Sequence, residues 1–98
     1  MNTSIIRNAI ASKNIIEFNY KDHRRIAEPH VYGIKNEKRE LLVFQVGGET
    51  SSGRIPDWRR VAIDEISGLK TTDQTFTGAR DNLSGEYSDW DIIIARVG

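Results

Sequence analysis

The chain has no cysteine. That excludes a disulfide framework, cysteine-ligated zinc, thiol redox chemistry and a cysteine nucleophile, and it fits a reducing compartment. An excess of charge is also missing, since 14 basic side chains balance 14 acidic ones. Nucleic acid is therefore not held by bulk attraction, and any anion site has to be built locally. No apolar run approaches the roughly 20 residues of a membrane span. The opening stretch MNTSIIRNAIASKN places Arg7 and Asn8 among its apolar residues and has no signal-like core. A soluble, cytoplasmic protein without membrane contact is expected.

The usual catalytic constellations are missing too. The only histidines are His23, in a turn, and His30, beside Pro29. Ser51 and Ser52 have no GxSxG elbow around them. Asp22, His23, Glu28 and His30 match no metal-binding template such as HExxH, and GGETSSGR lacks the Gly-Lys-Ser/Thr ending of a phosphate loop. The sequence thus reads as a non-enzyme with neither cofactor nor metal.

What is present is a β pattern. With 98 residues, a single domain with one continuous core is expected. Ile5, Ile6, Ala9 and Ile10 recur at helical spacing behind Thr3 or Ser4 as cap, which predicts a helix over 4–13. From Ile15 to Tyr20 the chain alternates, with Ile16, Phe18 and Tyr20 on one face, as in a half-buried strand. After a turn at Lys21-Asp22-His23, Arg25 to Ile34 is extended again. Pro29 argues for an edge or a bend there, because it cannot donate to a ladder. Asn36 to Arg39 forms the next turn, and Glu40 to Val46, apolar on both faces, reads as a central strand.

The glycine-rich stretch GGETSSGRIPDWRR leads into another strand over Trp58 to Ile63, with a short continuation from Glu65 to Lys70 beyond a bend. Residues 71–89 lack periodicity and predict a long connection or a mobile tail. Asp91 to Val97 is the last strand candidate, paired within the chain or with a neighbouring subunit. One helix and about five short strands at hairpin spacing imply a small, strongly bent antiparallel β-barrel over residues 14–76, a connection over 77–89 and a final strand within 90–97.

Strand alternation singles out two arginines. Arg59 shares its side with Val61 and Ile63, and Arg25 shares its side with Ala27 and Val31, so each guanidinium faces inward at a strand end. A buried guanidinium needs a partner, and its fork suits a carboxylate or a phosphate equally. Glu28, Asp57 or Asp64 within the chain could supply the carboxylate; the other reading is an anion pocket. Tyr20 ends its strand with a hydroxyl to satisfy, and Trp58 is either a cap on the apolar end of the sheet or a stacking platform for a base.

The order of a helix followed by IIEFNY, RRIAEPHVYGI, ELLVFQVGG and WRRVAIDEI resembles the WYL domain, a ligand-sensing family, over about residues 5–76. The resemblance rests on Tyr20 at a strand end, Arg25 four residues before Pro29, and Arg59 followed by Val61, Ile63 and Ile66. The name-giving triplet is Glu40-Leu41-Leu42 here, so only its leucine is kept. The resemblance implies an Sm-like (SH3-type) β-barrel in its stand-alone form. It also implies a regulatory or accessory role, associated with bacterial defence, in binding nucleic acids or nucleotide-like ligands.

The expected ligand site combines Arg25 and Arg59 with Tyr20, His30 and Gln45 as walls and the loop hydroxyls around Ser51, on a backbone nest that Gly47, Gly48 and Gly53 permit. The expected partner is a nucleotide or single-stranded nucleic acid. The alternative is an SH3-like protein-interaction module that uses an exposed strand edge such as Asp91 to Val97. Self-association stays open under either reading.

Overall fold

The computed structural model describes residues 2–49, 53, 55–80 and 89–98. Helix α1 (Asn2–Ser12) starts two residues before its expected beginning and presents Ile6, Ala9 and Ile10 to the core. Lys13 ends it by taking a left-handed φ of 58°. Strands β1 (Asn14–Tyr20), β2 (His23–Lys35) and β3 (Lys38–Gly48) follow as a meander. Lys21-Asp22 and Asn36-Glu37 form the two tight turns between them. All four of these residues have positive φ, as hairpin turns matched to the twist of their strands require.

β4 (Asp57–Ala62) pairs with β3, a 3-10 turn (Ile63–Glu65) follows, and β5 (Ser67–Thr75) returns to pair with β1. The sheet order is β4-β3-β2-β1-β5, so β3 is central as expected. β4 and β5 are the two ends of that order, and no ladder among the described residues joins them. The sheet is therefore antiparallel but not closed into a barrel. It still curls, since the molecule measures 29 × 27 × 26 Å and a flat layer would be far thinner than it is wide. One face of the curl, with α1 packed on it, holds the core of Ile16, Phe18, Ala27, Leu41, Val43, Val61 and Ile66. No helix among the described residues is long and apolar enough to cross a membrane.

β2 departs from the sequence expectation in an informative way. It is the long interior strand, with Pro29 at a break in the ladder and not at a sheet edge: the register with β3 shifts between Pro29 and Val31. The same edge of β2 pairs with β1 before the break and with β6 (Ile92–Arg96) after it. Pro29, which has no N–H to offer, falls where one partner strand gives way to the next. The extra residue changes which side chains face inward, so Tyr32, not Val31, joins the core cluster with Ala27.

β5 runs to Thr75, well into the stretch expected to be irregular. β6 pairs with β2 of its own chain, which settles that alternative. Its approach is close. A Cβ on buried Gly33 would lie 2.7 Å from Trp90 Cε3 and would also overlap the Ile92 carbonyl oxygen. Gly33→Ala is therefore expected to push Trp90 and β6 outward at a cost of about 1–3 kcal/mol. That corresponds to a fall in Tm of roughly 4–8 °C per kcal/mol for a domain of this size. A circular-dichroism melt checks it, and an unchanged Tm would show that β6 does not pack this tightly.

Candidate functional site

The two faces of the sheet carry different chemistry. Across β2, β3 and β4, Ala27, Gln45 and Asp57 form one cross-strand row, and Pro29, Val43 and Arg59 form the next row on that side. Arg25, before a register shift in which Val46 of β3 is the extra residue, lies opposite Phe18 of β1. Core-facing alternation thus brings Arg25, Gln45 and Arg59 to the sheet end where β3 passes into the glycine-rich loop, and Tyr20 closes that end from β1.

Arg25 is 7% exposed and Gln45 is fully buried. The guanidinium donates from Nη1 to Gln45 Oε1 at 3.1 Å and from Nη2 to the Tyr20 carbonyl at 3.1 Å, and it lies 5.6 Å from the centre of the Tyr20 ring. Its Nε is buried and has no hydrogen-bond partner among the described residues. Burial and the nearby Arg59 charge lower its pKa, and Tyr20 partly offsets them. Arginine remains charged at neutral pH despite such a shift. The result is a buried positive charge whose bonds go to neutral groups, with a second positive charge beside it.

The internal carboxylates weighed as partners for Arg25 are engaged elsewhere or lie outside. Glu28 binds Arg80, Asp57 Oδ1 accepts the Trp58 N–H at 2.8 Å, and Asp64 is exposed.

Gln45 has a second task. Its Nε2 donates to the carbonyls of Gly47 and Glu49, each at 3.0 Å, so it ties the start of the loop to the arginine. Gly48 has φ of 85°, and a Cβ there would overlap the Arg24 carbonyl, which is why glycine stands at the point where the loop turns over Arg25. Tyr20 is half-buried, and its hydroxyl accepts the Ala62 N–H at 3.4 Å. Of the expected site residues, Tyr20, Arg25, Gln45 and Arg59 come together. Ser51, with Thr50 and Ser52, lies outside the described residues.

His30 does not join them. Strand alternation sets it with Glu28 on the face opposite Arg25 and Ala27, where it is fully buried. There its Nε2 donates to Glu28 Oε1 at 3.0 Å, because a carboxylate can only accept. Arg80 grips the same carboxylate with two bonds, Nε to Oε1 at 2.9 Å and Nη2 to Oε2 at 2.7 Å, and its guanidinium lies 4.0 Å from the centre of the Phe44 ring. Trp58 sits edge-on to His30 at 4.8 Å and to Phe44 at 5.0 Å, with Phe76 5.3 Å from His30. Trp58 is thus part of a second apolar layer on this face.

Burial opposes the charge on Glu28, but the bonds and charges of Arg80 and His30 outweigh it and hold its pKa below the ordinary carboxylate value. Burial lowers the His30 pKa, Glu28 acts in the opposite direction, and the net shift is downward. This network joins residues that are 52 positions apart, one of them in the aperiodic stretch, and sequence reasoning missed it. The available clue was Glu28 itself, an acidic residue inside a strand that is otherwise buried on both sides.

Along β4, Leu42, Trp58, Arg59 and Arg60 line a hollow of about 270 Å³. Arg60 is paired with Glu40 at 3.1 Å and Asp89 at 3.3 Å and stacks 4.2 Å from the Trp90 ring centre. Among the described residues, no three His, Asp or Glu side chains gather closely enough to hold a metal ion. Comparison with protein-family models, with curated proteins and with solved structures gives no match.

Proposed function

We propose that this protein is a non-catalytic binding module that takes a nucleotide-like or single-stranded nucleic acid ligand by its phosphate at the Arg25–Arg59 end of the sheet. The carrying observation is Arg25, buried at 7% exposure, hydrogen-bonded to a neutral amide and a carbonyl, and next to a second guanidinium. Arg25 is a buried cation whose hydrogen bonds go to neutral groups, and a bound phosphate supplies a counter-charge that matches the fork of its side chain.

The anion part of the reading rests on these two residues; the nucleic acid part rests on the resemblance to the WYL family. The small antiparallel sheet with one helix, in the order β4-β3-β2-β1-β5 and with a 3-10 turn between β4 and β5, is compatible with an open version of the Sm-like sheet which that resemblance implies. The balanced net charge supports a local contact over a broad electrostatic one.

Trp58, adjacent to Arg59, supplies the optical signal for the test. Titration with nucleotides and short single strands is expected to give a saturable change in tryptophan fluorescence, with affinity that falls as salt rises because phosphate neutralisation releases counterions. Arg59 is only half-buried, so Arg59→Ala is expected to weaken binding by about tenfold or more while leaving the thermal unfolding curve in place. A wild-type protein that binds neither class of ligand, or an Arg59→Ala protein that binds as well as wild type, defeats this reading.

A further inference from the structure

β4 is one end of the sheet order, so its outer edge meets no further strand among the described residues. Beside this strand lies the hollow of about 270 Å³ that Leu42, Trp58, Arg59 and Arg60 line. Leu42 is fully buried and Trp58 half-buried, so the hollow offers apolar and aromatic surface between its two arginines. Its volume falls below the roughly 300–1,000 Å³ of sites for drug-sized molecules. That suits one planar ring system and little more.

Two observations bear on what such a ring is. Arg60 is committed to Glu40 and Asp89 and stacks on Trp90, so a second phosphate would meet acidic groups beside the cation it needs. A neutral ring meets no such repulsion. The Trp58 indole N–H is buried and has no acceptor among the described residues. Phenylalanine would pack against His30 and Phe44 without leaving a donor stranded, so those two contacts do not explain the larger ring.

We propose that this hollow takes the base of a nucleotide whose phosphate is held by Arg25 and Arg59, with the base stacked against Trp58. The inference rests on the phosphate reading above and extends it from a phosphate ester to a base-bearing one. Arg59 is the link, since it lines the hollow and its charge acts on Arg25. One side chain thus borders both subsites, as it must when base and phosphate belong to one small molecule. Stacking tolerates any base, because every base has a π-face, and the gain in affinity from it is about tenfold or more.

Isothermal titration calorimetry is the primary test, because it does not depend on the tryptophan signal. Ribose phosphate and uridine monophosphate carry the same phosphomonoester and differ in the base. Wild type is expected to bind uridine monophosphate about tenfold or more tightly than ribose phosphate. Trp58→Leu is expected to bind the two equally, with its affinity for ribose phosphate unchanged, whereas Arg59→Ala weakens both. A wild type that binds neither defeats the phosphate reading and this inference with it. Ribose phosphate bound as tightly as uridine monophosphate overturns the base subsite alone, and so does a Trp58→Leu protein that still prefers the nucleotide.

Should Trp58→Leu fail to fold, photocrosslinking of the wild type with an iodinated uridine monophosphate decides instead. The adduct is expected on Trp58, and an excess of ordinary uridine monophosphate is expected to suppress it. An adduct on Trp90 alone, or none on either tryptophan, overturns the proposal.

Discussion

Gln45→Leu is expected to destabilise the protein by about 3 kcal/mol, although leucine fills nearly the same space. The side chain is fully buried and makes three hydrogen bonds, one from Arg25 and two to the carbonyls of Gly47 and Glu49. A buried donor or acceptor stripped of its partner costs about 1–3 kcal/mol, and more when it is charged. Arg25 Nη1 is the expensive orphan, because the guanidinium is buried too. Gly47 and Glu49 sit near the surface, so water takes up much of their loss.

The resulting fall in Tm is roughly 12–24 °C at 4–8 °C per kcal/mol, a large part of the total for a domain whose whole stability is about 5–15 kcal/mol. The double variant Arg25→Leu/Gln45→Leu is expected to recover part of the loss, because removing both partners leaves no orphaned charge. Thermal melts of the three proteins measure this. A single variant that melts within a degree or two of wild type would mean that Gln45 does not hold Arg25.

The contrast between Gln45 and Tyr32 marks how far the sequence was legible. Period-two alternation located β1 and β3 and turned Arg25 and Arg59 to the core side, because a strand half in water must place its apolar residues on one face. It could not foresee the extra residue in β2. A bulge leaves apolar composition untouched and changes only the count, yet it put Tyr32 where Val31 was expected in the core cluster, whereas plain alternation already sets His30 with Glu28 on the face away from Arg25. Pro29 was read as an edge or a bend, and it stands at a register break inside the sheet; that position depends on β1 and β6 sharing one edge of β2, and only pairing reveals it.

β5 was cut short for a related reason. SGLKTTDQT is mostly exposed and pairs with β1 alone, so backbone bonds, not an apolar face, hold it in place. The expected barrel followed from strand count and spacing, which do not say whether the two end strands meet. The Glu28–Arg80 contact lay beyond reach because nothing periodic leads up to Arg80.

That contact and His30 together predict an acid-sensitive fold. His30 has a folded pKa below its ordinary value, so its neutral form is favoured in the native state. Stability from it is complete above the unfolded value of about 6.5 and falls as pH drops below that, because the unfolded chain binds the proton more readily. Glu28 also has a lowered folded pKa, as an ionised group held by Arg80 and His30 against the effect of burial. Its contribution is complete above about 4.3 and is lost as pH falls through the folded value.

Both groups therefore act in the same direction, and Tm is expected to be flat from pH 8 to 7, to decline below about 6.5 and to decline again below about 4.3. The first decline belongs to a fully buried imidazole, so His30→Gln is expected to flatten it. Glu28→Gln is expected to cost stability at pH 7 and to flatten the second decline, because Arg80 then binds a neutral amide at every pH. Melts of the three proteins from pH 8 to 4 separate the two stages. If His30→Gln leaves the upper stage as steep as in wild type, the imidazole is not the group being protonated, and the network on this face contributes packing without acid sensitivity.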